Sequence, residues 1–507
     1  MCIRDRACRA DREDVVCRLR ERKLRDGKPL ALMVPSVEVA EQICRLSEAD
    51  RTALRSPAAP IVLAPRRGDS GIAPAVAPGT GTFGVMLPYA PVHHLLFAEG
   101  LGPLVMTSAN LAGQPLTYRD DDALRELHEV ADAFLLHDRQ IFRPIDDSVV
   151  FSFRSEVVPV RRARGYAPRP LRLPAFDSGG PLAAVRPKRI LAVGAELKST
   201  VCLLTGGEAM VSEHLGDLTN AQAYRHFVQA IERLRELFGF EPQVIVHDLH
   251  PQYLSTQYAR RLGLPTVAVQ HHHAHIASVM AEWNEPGPVI GVACDGAGYG
   301  GDGATWGCEI LLCDRGRFER VGHLEYFPLV GGDAAAVETW RPAAALLRQA
   351  CGDGWRDVAS RLPWPADLQT LDRQMAVGLN APPTSSLGRL FDAVSFLLGL
   401  CRRNRHEAEG AMALEAAAED CFSEPYPYEI ALSDGMLVCS PRPIIRAMVE
   451  EVAAGRPSGR IAAAFHETVA QMLVEAAERA CAERNIGAVA LSGGCFVNRR
   501  LLARVVD

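Results

Sequence analysis

The sequence predicts an α/β protein built from two domains. A compact α/β domain is expected over residues 1–172. After a linker at 173–188, a larger two-lobed α/β domain fills 189–507. Three observations carry this. Short apolar runs alternate with helical patterns along the whole chain, the signature of strands interleaved with helices. Residues 168–188 are rich in Pro, Gly and Arg and lack periodicity, as a linker does. Aromatic residues make up 6% while Ala, Gly and Pro abound, which favours helix-rich α/β architecture over a β-sandwich.

In the first domain an arginine-rich stretch over 13–25 spaces Val15, Val16, Leu19 and Leu24 as on a helix face. Short strands are expected at Leu30–Val34, Ile61–Ala64, Val85–Leu87 and Leu104–Thr107, with a closing pair at Val149–Phe153 and Val157–Val160. The second domain opens with a strand at Ile190–Val193, a turn at Gly194 and a strand at Thr200–Thr205. A long amphipathic helix follows at Ala221–Phe238, then strands at Val244–His247 and Thr266–Val269, and a helix through a run of histidines. Val289–Cys294 and Ala488–Leu491 are further buried strands, and the alternation splits near residue 290 into two lobes. There is no short-period repeat.

The totals exclude several classes. A net charge of −6 offers no basic surface for nucleic acid. No apolar run reaches the ~18 residues of a membrane span. The 14 cysteines include no C-x-x-C pair, which excludes a zinc finger and argues for reduced thiols in the cytoplasm. Met1–Arg6 has no apolar segment behind it, so it is not a secretory signal, and it reads as a truncated start. Leu501–Asp507 reads as a helix without a cap.

The strongest chemical signal is Gln270-His271-His272-His273-Ala274-His275. On a helix His271 and His275 share one face, with Cβ atoms roughly 5–6 Å apart. That spacing lets two imidazoles reach one metal. Asp295 follows at the end of another apolar strand, and a carboxylate with two imidazoles suits Zn²⁺, Fe²⁺ or Mn²⁺. The bland alternative is a histidine cluster on a surface turn. The metalloprotease pattern is absent, because His466-Glu467 is followed by Ala470 where a second His is needed.

Three glycine-bearing loops are candidates for phosphate. Asp295–Gly303 includes Gly298 and Gly300 and reads as a hairpin loop whose amides can approach an anion. Gly194–Thr200 lacks the glycine before Lys198 that a Walker loop needs, yet as a hairpin it can offer Lys198. Ser492-Gly493-Gly494 lies between a strand and a helix, where helix N-terminal amides can face a nucleotide. Together they match an ATP cleft of the actin/hexokinase type. In the first domain Ser108 and Asn110 follow a strand and can bind phosphate or a base edge, while Lys28, Arg143 and Arg164 are candidate cations for an anionic substrate.

Several stretches resemble one family. Lys28–Met33, Met106–Asn110, Asp146–Val149 and Arg161–Tyr166 are similar to the YrdC-type domain of the carbamoyltransferase HypF family of hydrogenase maturation factors. Gly194–Lys198, Gln270–His275, Asp295–Gly300, Ser386–Asp392 and Leu491–Gly494 resemble its TsaD-like carbamoyltransferase domain of the actin/hexokinase (ASKHA) class. The resemblance runs from about residue 13 to 507. It implies ATP-dependent conversion of carbamoyl phosphate to carbamoyl-adenylate, with release of diphosphate and AMP over the cycle. The carbamoyl group then passes to the C-terminal cysteine of a HypE-type acceptor protein, on the route to the cyanide ligands of the [NiFe] centre.

By this resemblance Ser108 and Asn110 bind the nucleotide, with Lys28 and Arg143 near its anion. Gly298, Gly300, Asp392, Gly493 and Gly494 belong to a nucleotide site, and His271, His275 and Asp295 are metal ligands. The implied cofactors are ATP, Mg²⁺ and a divalent metal, Zn²⁺ or Fe²⁺. The family's acylphosphatase and zinc-finger-like modules are not read in this chain, and its fourth ligand, an aspartate beyond Ser-Gly-Gly, is expected past Asp507. A fragment of this extent is expected to turn over weakly or not at all from carbamoyl phosphate. The alternatives are a small-molecule O-carbamoyltransferase, a threonylcarbamoyl-adenylate or tRNA-modifying enzyme, and a non-enzymatic actin-like scaffold. Domain order argues against the first, mild acidity against the second, and the histidine pair against the third.

Overall fold

A computed structural model describes residues 6–507 except 111–115, 137–140, 142–143, 174–188, 363, 366 and 420. The linker expected at 173–188 therefore lies, but for Leu173, outside the described residues. The chain divides into two compact units: residues 1–172 with 187–268, and residues 173–186 with 269–507. The first lobe of the expected second domain thus groups with the preceding domain.

The first unit contains a seven-stranded mixed sheet. Its order is Arg6–Arg9, Leu104–Thr107, Ala31–Met33, Thr82–Met86, Ile61–Pro65, Val149–Phe153, Glu156–Arg161. Leu32, Val62, Val85, Val105 and Val150 are fully buried from these strands. Helix Glu13–Lys23 covers the sheet with Val16 and Leu19. A six-stranded sheet follows, in which Val244–Asp248 runs parallel to Arg189–Ala192, and Arg189–Ala192 pairs antiparallel with Cys202–Thr205. The helix Ala221–Phe238 buries Ala223, Phe227, Ala230, Ile231 and Leu234, the three-and-four spacing of one face. Asn220 caps it by accepting from the amides of Gln222 and Ala223, and Gly239 ends it at φ 55°.

In the second unit Val289–Tyr299 lies between Thr305–Cys313, its antiparallel partner, and the edge strand Val489–Ser492, which runs parallel to it. The 27-residue helix Ser458–Arg484 and the helix Leu387–Leu397 form the core behind this sheet. Among the described residues no helix is long and apolar enough to cross a membrane.

His466 sits fully buried inside the long helix. Its Nδ1 faces the carbonyl of Ala462 at 2.7 Å and its Nε2 faces Asn498 Nδ2 at 2.9 Å. Asn498 Oδ1 accepts from the Leu501 amide, so Nδ2 is the donor toward His466. A proton on Nε2 would confront that N–H. Burial, helped by Arg500, pushes the imidazole from 6.5 down to about 4. The unfolded chain therefore binds the proton first as pH falls. The stability this histidine contributes is complete above about pH 6.5 and declines between there and about pH 4. The gap corresponds to roughly 3 kcal/mol. Denaturant unfolding of the second unit at pH 7.5 and pH 5 is expected to show about 2 kcal/mol of this loss in the wild type and less in His466→Gln.

Candidate metal centre and nucleotide loops

The helix His271–Glu282 starts at Gln270, whose Oε1 accepts from the His273 amide at 2.9 Å. Gln270 Nε2 donates to the Tyr299 carbonyl at 3.2 Å and to His272 Nδ1 at 3.2 Å. This end of the helix is thus tied to the hairpin of Val289–Tyr299 and Thr305–Cys313. His271 and His275 share one face, with ring centroids 5.0 Å apart. Their Nε2 atoms lie 3.4 and 3.2 Å from the same atom, Asp295 Oδ2. One ligand atom from each of the three residues falls within 4.8 Å of the others, and the side chains are 20%, 30% and 23% exposed, recessed but reachable.

Asp295 is sorted oxygen by oxygen. Oδ1 accepts from the amides of Gly296 at 2.8 Å and Gly494 at 3.3 Å, while Oδ2 faces the imidazoles. Burial acts to raise this carboxyl, but the hydrogen bonds from His271 and His275 outweigh it and hold it well below the usual range. It is an anion when the site is at neutral pH. Two neutral-capable imidazoles and one carboxylate fit a borderline divalent ion such as zinc or iron.

The other histidines of the run are structural. His272 is fully buried against Gly298, and burial lowers its pKa to about 3. His273 Nε2 faces the Asp314 carbonyl at 2.9 Å and its ring packs on Phe318.

The glycines of the three loops have neighbours that the sequence did not reveal. A Cβ on Gly298 would lie 2.5 Å from His272 Cε1, and one on Gly300 would lie 2.2 Å from Trp306 Nε1. The Gly300 amide donates to the Ala304 carbonyl. Their lack of side chains therefore packs the hairpin onto the histidine helix and onto Trp306. Gly494 touches Asp295, and Gly493, at φ +105°, lies against the Cys294 carbonyl. Asp392 is placed apart, on the helix Leu387–Leu397, with its side chain 1% exposed. Arg389 at 2.8 Å and Asn404 at 3.1 Å hold the carboxylate, so a nucleotide would reach it only by opening that pair. Lys198 is exposed, and its amide donates to Asp217 Oδ1 at 2.7 Å.

In the first unit Ser108 and Asn110 meet after the strand Leu104–Thr107, with Ser108 Oγ donating to Asn110 Oδ1 at 2.7 Å. Lys23, overlooked in the sequence, is the residue that organises them. It is 2% exposed, and its ammonium donates to the Ser108 carbonyl, to the Asn110 carbonyl at 2.7 Å and to Asn110 Oδ1 at 3.1 Å. Arg6 adds a bond to the Asn110 carbonyl, and Arg25 reaches Thr107 Oγ1 at 3.4 Å. Lys28 is exposed, and its carbonyl accepts from Arg20.

Arg164 is a correction to its reading as a substrate cation. Its guanidinium is 15% exposed and pairs with the fully buried Asp147 at 2.8 Å. It also donates to the carbonyls of Ala58 and Ala59 and stacks 3.6 Å from the Tyr89 ring centroid. Arg143 lies outside the described residues.

Comparison with known proteins matches three family models in order. Residues 6–163 match the Sua5/YciO/YrdC model, described as telomere recombination. Residues 186–282 match the HypF Kae1-like domain, and 291–507 the second subdomain of the carbamoyltransferase Kae1-like domain. The carbamoyltransferase HypF of Rhodobacter capsulatus is 44% identical over 98% of this chain and 65% of its own length, so the chain spans about 65% of that relative. A carbamoyltransferase HypF homolog of Cupriavidus necator is 41% identical over 62% of this chain and 83% of its own. A crystal structure of full-length HypF in the phosphate- and nucleotide-bound form superposes with a TM-score of 0.93 at 40% identity, covering 99% of this chain and 65% of that one. The chain belongs to the HypF carbamoyltransferase family.

Proposed function

We propose that this chain is the carbamoyl-activating and carbamoyl-transferring part of an ATP-dependent carbamoyltransferase that acts in the cytoplasm in the maturation of [NiFe] hydrogenase. The single observation that carries the reading is the convergence of His271 Nε2 and His275 Nε2 on one oxygen of Asp295. In the first unit, Ser108 and Asn110, held by Lys23, bind ATP with its Mg²⁺ and the carbamoyl donor. Carbamate, left when carbamoyl phosphate loses its phosphate to water, bonds through a carboxylate oxygen to the α-phosphorus of ATP; the α–β phosphoanhydride bond breaks, diphosphate leaves with the electron pair, and carbamoyl-adenylate forms. In the second unit the carbonyl carbon of that adenylate bonds to the C-terminal cysteine sulfur of a HypE-type acceptor. The C–O bond to phosphate breaks, AMP leaves with the electron pair, and the thiol proton passes to solvent.

A zinc or iron ion held by His271, His275 and Asp295 would polarise the carbonyl or the thiol as a Lewis acid. The residues themselves supply a recessed anionic seat for it. Asp295 stays charged because the two imidazoles outweigh its burial. The Asp295–Gly303 hairpin, locked onto the helix through Gln270, keeps the seat rigid.

The test has two readouts. Purified wild-type chain is expected to hold stoichiometric zinc or iron by elemental analysis, and His271→Ala to lose it. When carbamoyl-adenylate is supplied with a HypE-type acceptor, intact-mass spectrometry should show one added carbamoyl group with the wild type and none with His271→Ala. Equal metal in both proteins would remove the centre from the mechanism. Equal carbamoylation would remove its role in transfer.

A further inference from the structure

We infer that Ser492 is a positioning residue of the metal centre, whose hydroxyl bonds Nδ1 of His275 and so holds the ring with Nε2 turned toward the ion. This rests on the reading of His271, His275 and Asp295 as ligands. Ser492 ends the edge strand Val489–Ser492, in register with Ala293 two residues before Asp295. The histidine helix packs on the same sheet, with Ile276 against Gly291. These two placements bring Ser492 Oγ to 3.3 Å from His275 Nδ1, on the side of the ring away from Asp295.

A hydroxyl both donates and accepts. When His275 Nε2 carries a proton and shares it with Asp295 Oδ2, Nδ1 has a lone pair, and Ser492 O–H can donate to it. When Nε2 gives its lone pair to a metal, the proton resides on Nδ1, which then donates to Ser492 Oγ. The same side chain serves both tautomers by rotating one O–H bond. Alanine serves neither, and threonine keeps the hydroxyl. The bond to Nδ1 is therefore kept in either tautomer, and with it the orientation of the ligating ring.

The turn that begins at Ser492 does the matching task for the carboxylate. The Gly494 amide, with that of Gly296, occupies Asp295 Oδ1 and leaves Oδ2 to the centre. Ser492-Gly493-Gly494 is therefore attached to two of the three ligands.

The experiment uses the whole chain with zinc and cobalt(II) as probes. Zinc affinity is measured by competition with a chromophoric chelator, and the cobalt protein by its visible absorption. Ser492→Ala is expected to weaken zinc binding about 10- to 100-fold and to shift the cobalt bands, while Ser492→Thr stays within about threefold of wild type. Melting with EDTA present should be the same for all three, which separates the effect from a folding defect. In an Asp295→Ala background Ser492→Ala should have no further effect on zinc. Wild-type affinity and spectrum in Ser492→Ala overturn the inference, as does a Ser492→Thr protein that behaves like the alanine variant. A wild-type chain that binds neither ion above the level of His271→Ala fails at the earlier step, the centre itself.

Discussion

Arg164→Ala is expected to destabilise the first unit by about 3–5 kcal/mol, the cost of removing the guanidinium from a buried ion pair. Asp147 is fully buried, and the guanidinium reaches its Oδ1 through both Nε, at 3.2 Å, and Nη2, at 2.8 Å. The same group donates to the Ala58 carbonyl at 2.8 Å and the Ala59 carbonyl at 2.7 Å, closing the loop before strand Ile61–Pro65. Alanine removes every one of these bonds and the Tyr89 stacking. Lysine restores charge without the planar fork, so Arg164→Lys should recover part of the loss only. An apolar replacement of both residues, Arg164→Met with Asp147→Leu, should recover more, because both charges of this pair are gone. Denaturant unfolding followed by a probe in the first unit measures all three. A loss below about 1 kcal/mol in Arg164→Ala would return this residue to the substrate.

That prediction inverts the sequence reading, and the reason is physical. Arg164 and Lys28 look alike in the sequence: each is a cation close to a motif. What separates them is burial, which depends on strands far apart in the chain. Lys23 shows the converse. It sits in an arginine-rich helix with a mean pattern of exposed charge, yet its ammonium is buried on groups 85 and 87 residues away. Periodicity places Val16 and Leu19 inward, but no local rule says that a lysine at the last turn will end beneath Ser108 and Asn110. The strand Arg6–Arg9 is a similar case. Its four residues carry two arginines and no apolar run, and only the pairing of Arg6 with Thr107 through Arg9 with Leu104 makes them a strand.

The convergence of His271, His275 and Asp295 was legible because helix geometry does the work. Histidines four apart on a helix meet by construction, and Asp295 at a strand end is a position where α/β proteins hold functional groups. The glycines were less legible. A glycine serves a ligand's close approach and a neighbour's close packing equally well, and sequence cannot separate the two. Coordinates do: Gly298 has His272 where its Cβ would stand, and Gly493 has a backbone carbonyl there.

Gly493→Ala is accordingly expected to cost the metal centre more than a small side chain suggests. At φ +105° an alanine is strained by about 1–3 kcal/mol whatever surrounds it. Its Cβ would also lie 2.2 Å from the Cys294 carbonyl oxygen and 2.6 Å from the carbonyl carbon. Both obstacles are backbone, so no rotamer change relieves them. The edge strand and Val289–Tyr299 must separate at the point where Ala293 pairs with Ser492, and Asp295 is the next residue after Cys294. Displacing it pulls Oδ2 from His271 and His275 and removes the Gly494 amide from Oδ1. Zinc affinity should fall by about 100-fold, the upper end for changes in groups that support a ligand. Gly487→Ala is the control: it precedes the same strand, is exposed, and has open space where its Cβ would stand. It should bind zinc as the wild type does. If Gly493→Ala also binds zinc normally, the sheet at Cys294 yields without moving Asp295, and the close packing of the two strands is not what holds the carboxylate in place.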